Sequence, residues 1–371
     1  MRFVIFCHSI VSDWNHGNAH FLRGIGSELM ARGHEALFYE PHDAWSLRNL
    51  IANHGDAAIT RFHHAYPRIV SRSYDPEMVD FDEVLEGADV VIVHEWNTHD
   101  IVKRIGEHRA RSRQYKLYFH DTHHRGVTEP ESMSRYDLQH YDGVLAFGEV
   151  LRDVYLRRGW AREVWTWHEA ADTRIFRPLG GEKTDDLVWV GNWGDEERTL
   201  ELNEFLIEPA RALSVRARLY GVRYPESSLT QLRDASIAYS GWLPNFDVPR
   251  AFARSRLTIH VPRRPYLGAL RGIPTIRPFE AMACGIPLIS ACWRDPEGLF
   301  SSGVDFLIAN NGDEMKKHIR DLLNDPNMAR ELAMNGYRTI CTRHTCAHRV
   351  DELLAIHQRL AGTAGTQQSA A

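Results

Sequence analysis

The sequence predicts an α/β protein made of two tandem doubly wound Rossmann-like domains facing a central cleft. Three observations carry that expectation. Short apolar runs alternate with helix-period segments from the first residue to about position 310. The alternation occurs twice, with a Pro- and Gly-containing interruption between the two series. The chain has 371 residues, more than a single hydrophobic core of roughly 250 to 300 residues accommodates.

In the first series the expected strands are residues 2–7, 36–39, 89–94, 116–120, 144–147 and 164–167. Their near-continuous apolar, β-branched and aromatic content suits strands covered on both faces. Between the first two, Phe21, Leu22, Ile25, Leu29 and Met30 recur at helical spacing and Gly33 ends the run, completing one β-α-β unit. The second series places strands at 187–190, 217–220, 257–261, 287–290 and 305–308, with a helix expected over 199–213. Phe176-Arg177-Pro178-Leu179-Gly180-Gly181 breaks both periodicities. The expected divisions are therefore 1–176, 177–344, a helix at 345–361 packing near the domain junction, and an unstructured small and polar tail at 362–371.

Composition narrows the function. Forty-four Lys and Arg against 49 Asp and Glu give a net charge of -5, without the basic excess that nucleic-acid binding requires. Five cysteines, an odd and scattered set, read as reduced cytoplasmic thiols. The apolar run at the amino terminus is too short for a signal peptide, and no stretch reaches the roughly 18 apolar residues of a membrane span. The expected location is cytoplasmic, at most on the inner face of a membrane. Lys103, Arg104, Arg109, Arg111, Arg113 and Lys116, with only Glu107 as a local acid, supply the surface for such a contact.

Open parallel sheets bind ligands beyond the carboxyl ends of their strands, so segments just after strands are the places to inspect. The most informative run is Gly272-Ile273-Pro274-Thr275-Ile276-Arg277-Pro278-Phe279-Glu280-Ala281-Met282-Ala283-Cys284-Gly285-Ile286-Pro287. It reads as a short helix over 278–284 with Glu280 in its first turn, closed by Gly285 and followed by a strand. A helix N-terminus attracts anions, and a carboxylate can accept both hydroxyls of a ribose diol, so the pair describes a seat for a nucleoside diphosphate. A plain helix-strand pair in which Glu280 only favours the local dipole is the competing reading.

Phe279-Glu280-Ala281-Met282-Ala283-Cys284-Gly285-Ile286-Pro287 resembles the donor-site signature of two-domain nucleotide-sugar glycosyltransferases of the GT-B type, especially family 4, also called group 1, and the CgeB-like proteins. The resemblance implies the GT-B fold, a ribose contact for Glu280, and transfer with retention. Those relatives carry a second glutamate eight places earlier that contacts the donor sugar, where this sequence has Gly272. Gly17-Asn18-Ala19-His20 resembles their first glycine turn, which implies that Gly17 approaches the reacting sugar. Asp172-Thr173 to Phe176-Arg177-Pro178 resembles the element that ends their first domain.

Gly191-Asn192-Trp193-Gly194-Asp195-Glu196-Glu197-Arg198 stands where the relatives place a glycine turn and basic residues against the diphosphate. Arg198 is a candidate phosphate fork, helped by Asn192 and the amides of Gly191 and Gly194, unless it is a solvated charge paired to Glu201 or Glu204. Arg263, Arg264, Arg271 and Arg277 place four arginines within 15 positions with few local acids, which favours phosphate or acidic-sugar binding over a solvated face. Arg277 is the leading candidate. Trp242 and Leu243, in Ser240-Gly241-Trp242-Leu243-Pro244, offer a platform for the base, though Trp242 equally suits a core.

In the first domain, Phe119-His120-Asp121-Thr122-His123-His124-Arg125 and Val93-His94-Glu95-Trp96 follow neighbouring strands. The His-Asp pair is similar to a turn that touches the donor sugar in family 4, and the longer run is like the CgeB-related group. His120 is assigned to the sugar, and Asp121 or His124 to the acceptor proton. Structural histidines are the alternative in a chain with 21 of them. A zinc site in this cluster, or at Cys341 to His348, is a minor alternative.

The function expected is transfer of a sugar from a nucleoside diphosphate donor to a hydroxyl-bearing saccharide, lipid-linked or other acceptor. The donor is a UDP-sugar first, with GDP- or dTDP-sugars as alternatives, and no metal or other cofactor is called for. An epimerase, a phosphorylase or a non-catalytic carbohydrate or surface-assembly protein of the same fold are the rivals.

Overall fold

The computed structural model describes residues 1–112 and 114–368, with side chains to Leu360. Arg113 and residues 369–371 lie outside the described residues; the tail expected to be unstructured from 362 continues as helix through Gln368.

The chain forms two compact units, Met1–Ser12 with Phe21–Glu169 and everything from Cys346 onward, and Asp13–His20 with Ala170–Thr345. The sequence places one cut at 176/177; contact divides the chain at 169/170 instead. Two further differences follow from side-chain chemistry that is remote in sequence. Residues Asp13–His20 belong to the second unit because Asp13 accepts the Trp242 indole N–H and the Asn245 amide, each at 3.0 Å. The carboxyl-terminal helix, Cys346–Gln368, belongs to the first, where the Arg349 carbonyl accepts the buried Trp167 indole N–H at 2.8 Å.

The first unit is a parallel sheet of β1 (Arg2–Phe6), β2 (Glu35–Pro41), β3 (Val70–Tyr74), β4 (Val90–His94), β5 (Lys116–Asp121), β6 (Gly143–Ala146) and β7 (Val164–Thr166), in the order β3-β2-β1-β4-β5-β6-β7. Strands β1 and β4 are almost wholly buried, as expected for strands covered on both faces. In the helix Ala19–Ala31, Gly26 lets the backbone close on β2, since a Cβ there would lie 2.6 Å from Phe38 Cζ. Strand β3 was not expected: its sequence, VSRSY, is largely exposed on an edge and lacks an apolar run.

The second unit is a parallel sheet of β8 (Asp185–Val190), β9 (Ala217–Tyr220), β10 (Ala238–Tyr239), β11 (Ser255–His260), β12 (Leu288–Ala291) and β13 (Leu307–Ala309), in the order β10-β9-β8-β11-β12-β13. Successive residues of β8 feed opposite cores, Leu187 and Trp189 joining Leu219 and Ile259, Val188 and Val190 joining Phe279 and Met282. The helix expected over 199–213 is interrupted by a π turn, Asn203–Ile207. Pro209, which lacks the N–H of a regular ladder, stands two residues after its end.

No helix among the described residues is long and apolar enough to cross a membrane. The basic run of the first unit is also less bare than its sequence suggests. Arg104 pairs with Asp100 at 3.4 Å, and Arg109 and Lys116 share Asp142 at 3.4 and 3.5 Å, so the fold supplies acids that local sequence does not.

Candidate functional site

In the second sheet the strand order reverses between β8 and β11, and the segments that follow these strands meet there. After β8, Gly194, Asp195 and Glu196 all have positive φ, a left-handed loop. Arg198 folds back under it: its guanidinium donates to the Val261 carbonyl at 2.9 Å, to the Trp193 carbonyl at 3.3 Å and to the Asn192 carbonyl, and lies 5.1 Å over the Trp189 ring. The ion pair to Glu201 or Glu204 considered from the sequence is not what holds it. Burial, then the cation of Arg263, pushes its pKa down to about 9.

Gly194 sits against this cation and the next one. A Cβ on Gly194 would lie 3.1 Å from Arg198 Nε and 3.4 Å from Arg263 Nε. Arg277 adds a third positive charge that acts on Arg198 and on His260, at the end of β11. His260 is buried, bonded through Nδ1 to Ser290 Oγ at 3.0 Å, and its pKa falls to about 3, by burial first. Three guanidinium groups are thus gathered where a doubly wound sheet accepts ligands.

The acids around them are more numerous than local sequence indicated. Arg263 pairs with Glu197 at 3.1 Å, and Arg264 turns outward to Glu201 at 2.7 Å. Asn192 is committed to structure: its Nδ2 donates to Asn15 Oδ1 at 2.6 Å and its Oδ1 accepts the Val222 amide at 2.9 Å. The Gly191 carbonyl accepts the Tyr224 hydroxyl at 3.0 Å.

The helix expected over 278–284 is Ile276–Ala283, entered through Thr275 at φ 57° and ψ -179° and closed by Gly285 at φ 63°. Glu280 therefore lies past the first turn, and it is fully buried. Its Oε1 takes hydrogen bonds from His20 Nδ1 at 2.7 Å and Asn245 Nδ2 at 3.2 Å, and its Oε2 from Arg277. The sequence reading left this carboxylate open to a ribose; in the structure both oxygens are already engaged. Gly17 is exposed beside the start of this helix, 3.7 Å from Ile276 Cγ2 at its Cβ position. Trp242 and Leu243 are half-buried, and Leu243 packs on the core.

In the first unit His120, Asp121 and His124 are all buried. His120, the last residue but one of β5, lies among the rings of Phe21, Trp167 and His94, with neither nitrogen partnered, and burial lowers its pKa to about 3. Asp121 accepts the Tyr155 hydroxyl at 2.7 Å and the His123 amide at 3.0 Å; burial raises its pKa. His124 Nδ1 is bonded to Thr128 Oγ1 at 2.9 Å. Sequence reasoning set these groups facing an open cleft, whereas the structure spends Asp121 and His124 on local bonds. No group of three or more His, Cys, Asp or Glu able to hold a metal occurs among the described residues, and the five cysteines are free.

Comparison with known proteins bears on this geometry. Residues 198–355 match a family model described as glycosyl transferase-like. Sucrose-phosphate synthase from Thermosynechococcus elongatus superposes with a TM-score of 0.63 at 12% identity, over 98% of this chain and 100% of that one. A glycosyltransferase from Rickettsia africae gives 0.67 at 10% identity, over 97% and 98%. The Anabaena protein HepE, solved with UDP and glucose, gives 0.65 at 16% identity, over 98% and 99%. The chain has the GT-B fold, and its segment 198–355 is glycosyl transferase-like. No curated protein matches it by sequence.

In this GT-B chain the residues that sequence reasoning missed are His20, Asp13 and Asn245, the partners of Glu280 and of the Trp242 turn. One signal was present: His20 is a histidine inside the apolar opening of a helix. Arg125 was also missed as the partner of buried Glu95, at 2.6 Å, and it lies 4.2 Å over the Trp96 ring.

Proposed function

We propose that this protein transfers a glycosyl group from a nucleoside diphosphate sugar, a UDP-sugar first, to a hydroxyl-bearing acceptor. The observation that supports the reading is the gathering of Arg198, Arg263 and Arg277 at the strand-order reversal, inside the segment that matches the glycosyl transferase-like family. Guanidinium groups held by carbonyls and carboxylates are preorganised, so they stabilise charge that develops on a departing diphosphate without reorganising. The reading gives these cations the neutralising work and needs no divalent metal; EDTA should leave turnover unchanged. Retention of configuration, read from the anomeric proton of the product, and a cytoplasmic location complete the proposal. HepE, solved with UDP and glucose, supports UDP as the first probe.

The experiment is a thermal-shift and calorimetric screen with UDP, GDP and dTDP, since a ligand of the folded state raises its stability by mass action. One nucleotide should bind, and Arg277→Gln should weaken the diphosphate more than the nucleoside. Equal losses for both ligands reject the phosphate role of Arg277. Binding of no nucleotide rejects the reading. A second reading, nucleotide-sugar binding without turnover, has one observation in its favour: His120, Asp121 and His124 are all buried. Binding without product formation would select it.

A further inference from the structure

The arginines at the carboxyl ends of β11 and β12 fall into two groups. Arg263, Arg264 and Arg277 each have a carboxylate partner, Glu197, Glu201 and Glu280. Arg271 and Arg294 have neither an ion pair nor a hydrogen bond among the described residues. Both unpaired cations line one open cavity of about 280 Å³, together with Tyr266, Leu267, Cys292 and Trp293. The volume is ample for a hexose-sized group. No acidic residue lines it, and the acid that follows Arg294, Asp295, is turned to the Phe300 amide at 2.7 Å.

The aromatic wall of the cavity, Tyr266 and Trp293, suits the face of a sugar ring. Two unpaired guanidinium groups beside this wall match a carboxylate carried on a sugar ring, because a guanidinium fork binds both carboxylate oxygens. None of the Gly191–Arg198 loop, Arg277 or Glu280 lines this cavity, which separates it from the cations assigned to the diphosphate.

We propose that this cavity is the subsite for the glycosyl group of the donor and that it selects an acidic sugar, one carrying a carboxylate, through Arg271 and Arg294. The inference rests on the donor reading above and names its substrate class.

Calorimetry on the full chain tests it, with UDP, UDP-glucose and UDP-glucuronate, or GDP, GDP-mannose and GDP-mannuronate should GDP be the nucleotide that binds. The acidic sugar should bind about 10- to 100-fold more tightly than the neutral one. Arg271→Gln and Arg294→Gln are substitutions of exposed side chains, and unchanged melting temperatures will show that each variant folds. Each should erase most of the preference while leaving affinity for the bare nucleoside diphosphate as it was. Equal affinity for acidic and neutral sugars overturns the subsite alone. So does an equal loss of affinity for the bare nucleotide, which would make these arginines part of the phosphate seat. If no nucleoside diphosphate binds, the donor reading falls and the subsite falls with it.

Discussion

His20 donates its Nδ1–H to Glu280 Oε1 across 2.7 Å, joining two fully buried side chains that stand 260 residues apart. The direction of the bond follows from the other ring nitrogen. The Asp172 amide, which can only donate, points at His20 Nε2 at 3.0 Å, so the proton resides on Nδ1. Phe176, stacked on the imidazole at 3.9 Å, holds the ring in place. One imidazole thus ties the Asp13–His20 segment to the Ile276–Ala283 helix and to Asp172 and Phe176.

His20→Ala should destabilise the second unit by about 3 to 5 kcal/mol, because it strips a buried carboxylate of one donor and orphans the Asp172 amide. Urea titration measures it. A double-mutant cycle with Glu280→Gln should return a coupling of about 1 to 3 kcal/mol. Additive losses would mean that the two side chains act independently.

Thr275 enters the Ile276–Ala283 helix at φ 57° and ψ -179°, a region that suits glycine and strains a β-branched residue. Thr275→Gly should raise stability by about 1 kcal/mol, the relieved strain less the added freedom of the unfolded chain. A lower melting temperature would show that the threonine side chain contributes more than its backbone costs.

Gly272 stands where the resembling glycosyltransferases have a sugar-binding glutamate, and the fold here excludes one. Its φ is 99°, and a Cβ would lie 2.6 Å from Pro296 Cδ and 2.7 Å from Cγ. Gly272→Glu should cost about 3 kcal/mol or more and should not create a donor contact. A folded, fully stable Gly272→Glu protein in denaturant titration would contradict this packing.

The contribution of His120 to stability should fall as the solution is acidified below neutrality. His120 is held neutral to about pH 3 by burial, whereas an unfolded histidine protonates near 6.5. Between those values the unfolded chain binds a proton that the folded chain refuses, so the stability present above pH 6.5 is lost as pH drops. The loss from this residue is about 2 kcal/mol between pH 7 and pH 5. His120→Phe, which suits the cage of Phe21, Trp167 and His94, should flatten that slope in urea midpoints taken at both pH values. An unaltered slope would reject a neutral His120. Glu95 acts with the opposite sign: burial raises its pKa to about 8, so it weakens the fold as pH rises from about 4.5 to 8, and Glu95→Gln should remove that trend.

Much of the architecture was legible because buried parallel strands carry near-continuous apolar runs, as in Phe3–Phe6 of β1, Val90–Val93 of β4 and Leu187–Val190 of β8. Strands β3 and β10 escaped notice for the converse reason: edge strands are polar and short, and only pairing defines them. At the site, periodicity and motif located Glu280, Arg277 and Arg198 but not their surroundings. Which charges are neutralised depends on residues brought near in space: Glu197 and Glu201 against Arg263 and Arg264, His20 against Glu280 and, among the described residues, nothing against Arg271 and Arg294.

By itself, then, the order of amino acids determined two layered sheets, their strand-end loops and the residue types those loops carry, since each depends on local periodicity and turn chemistry. Tertiary structure alone decided which of those side chains are sealed and which stay uncompensated, because desolvation and charge pairing are set by distances between segments hundreds of residues apart.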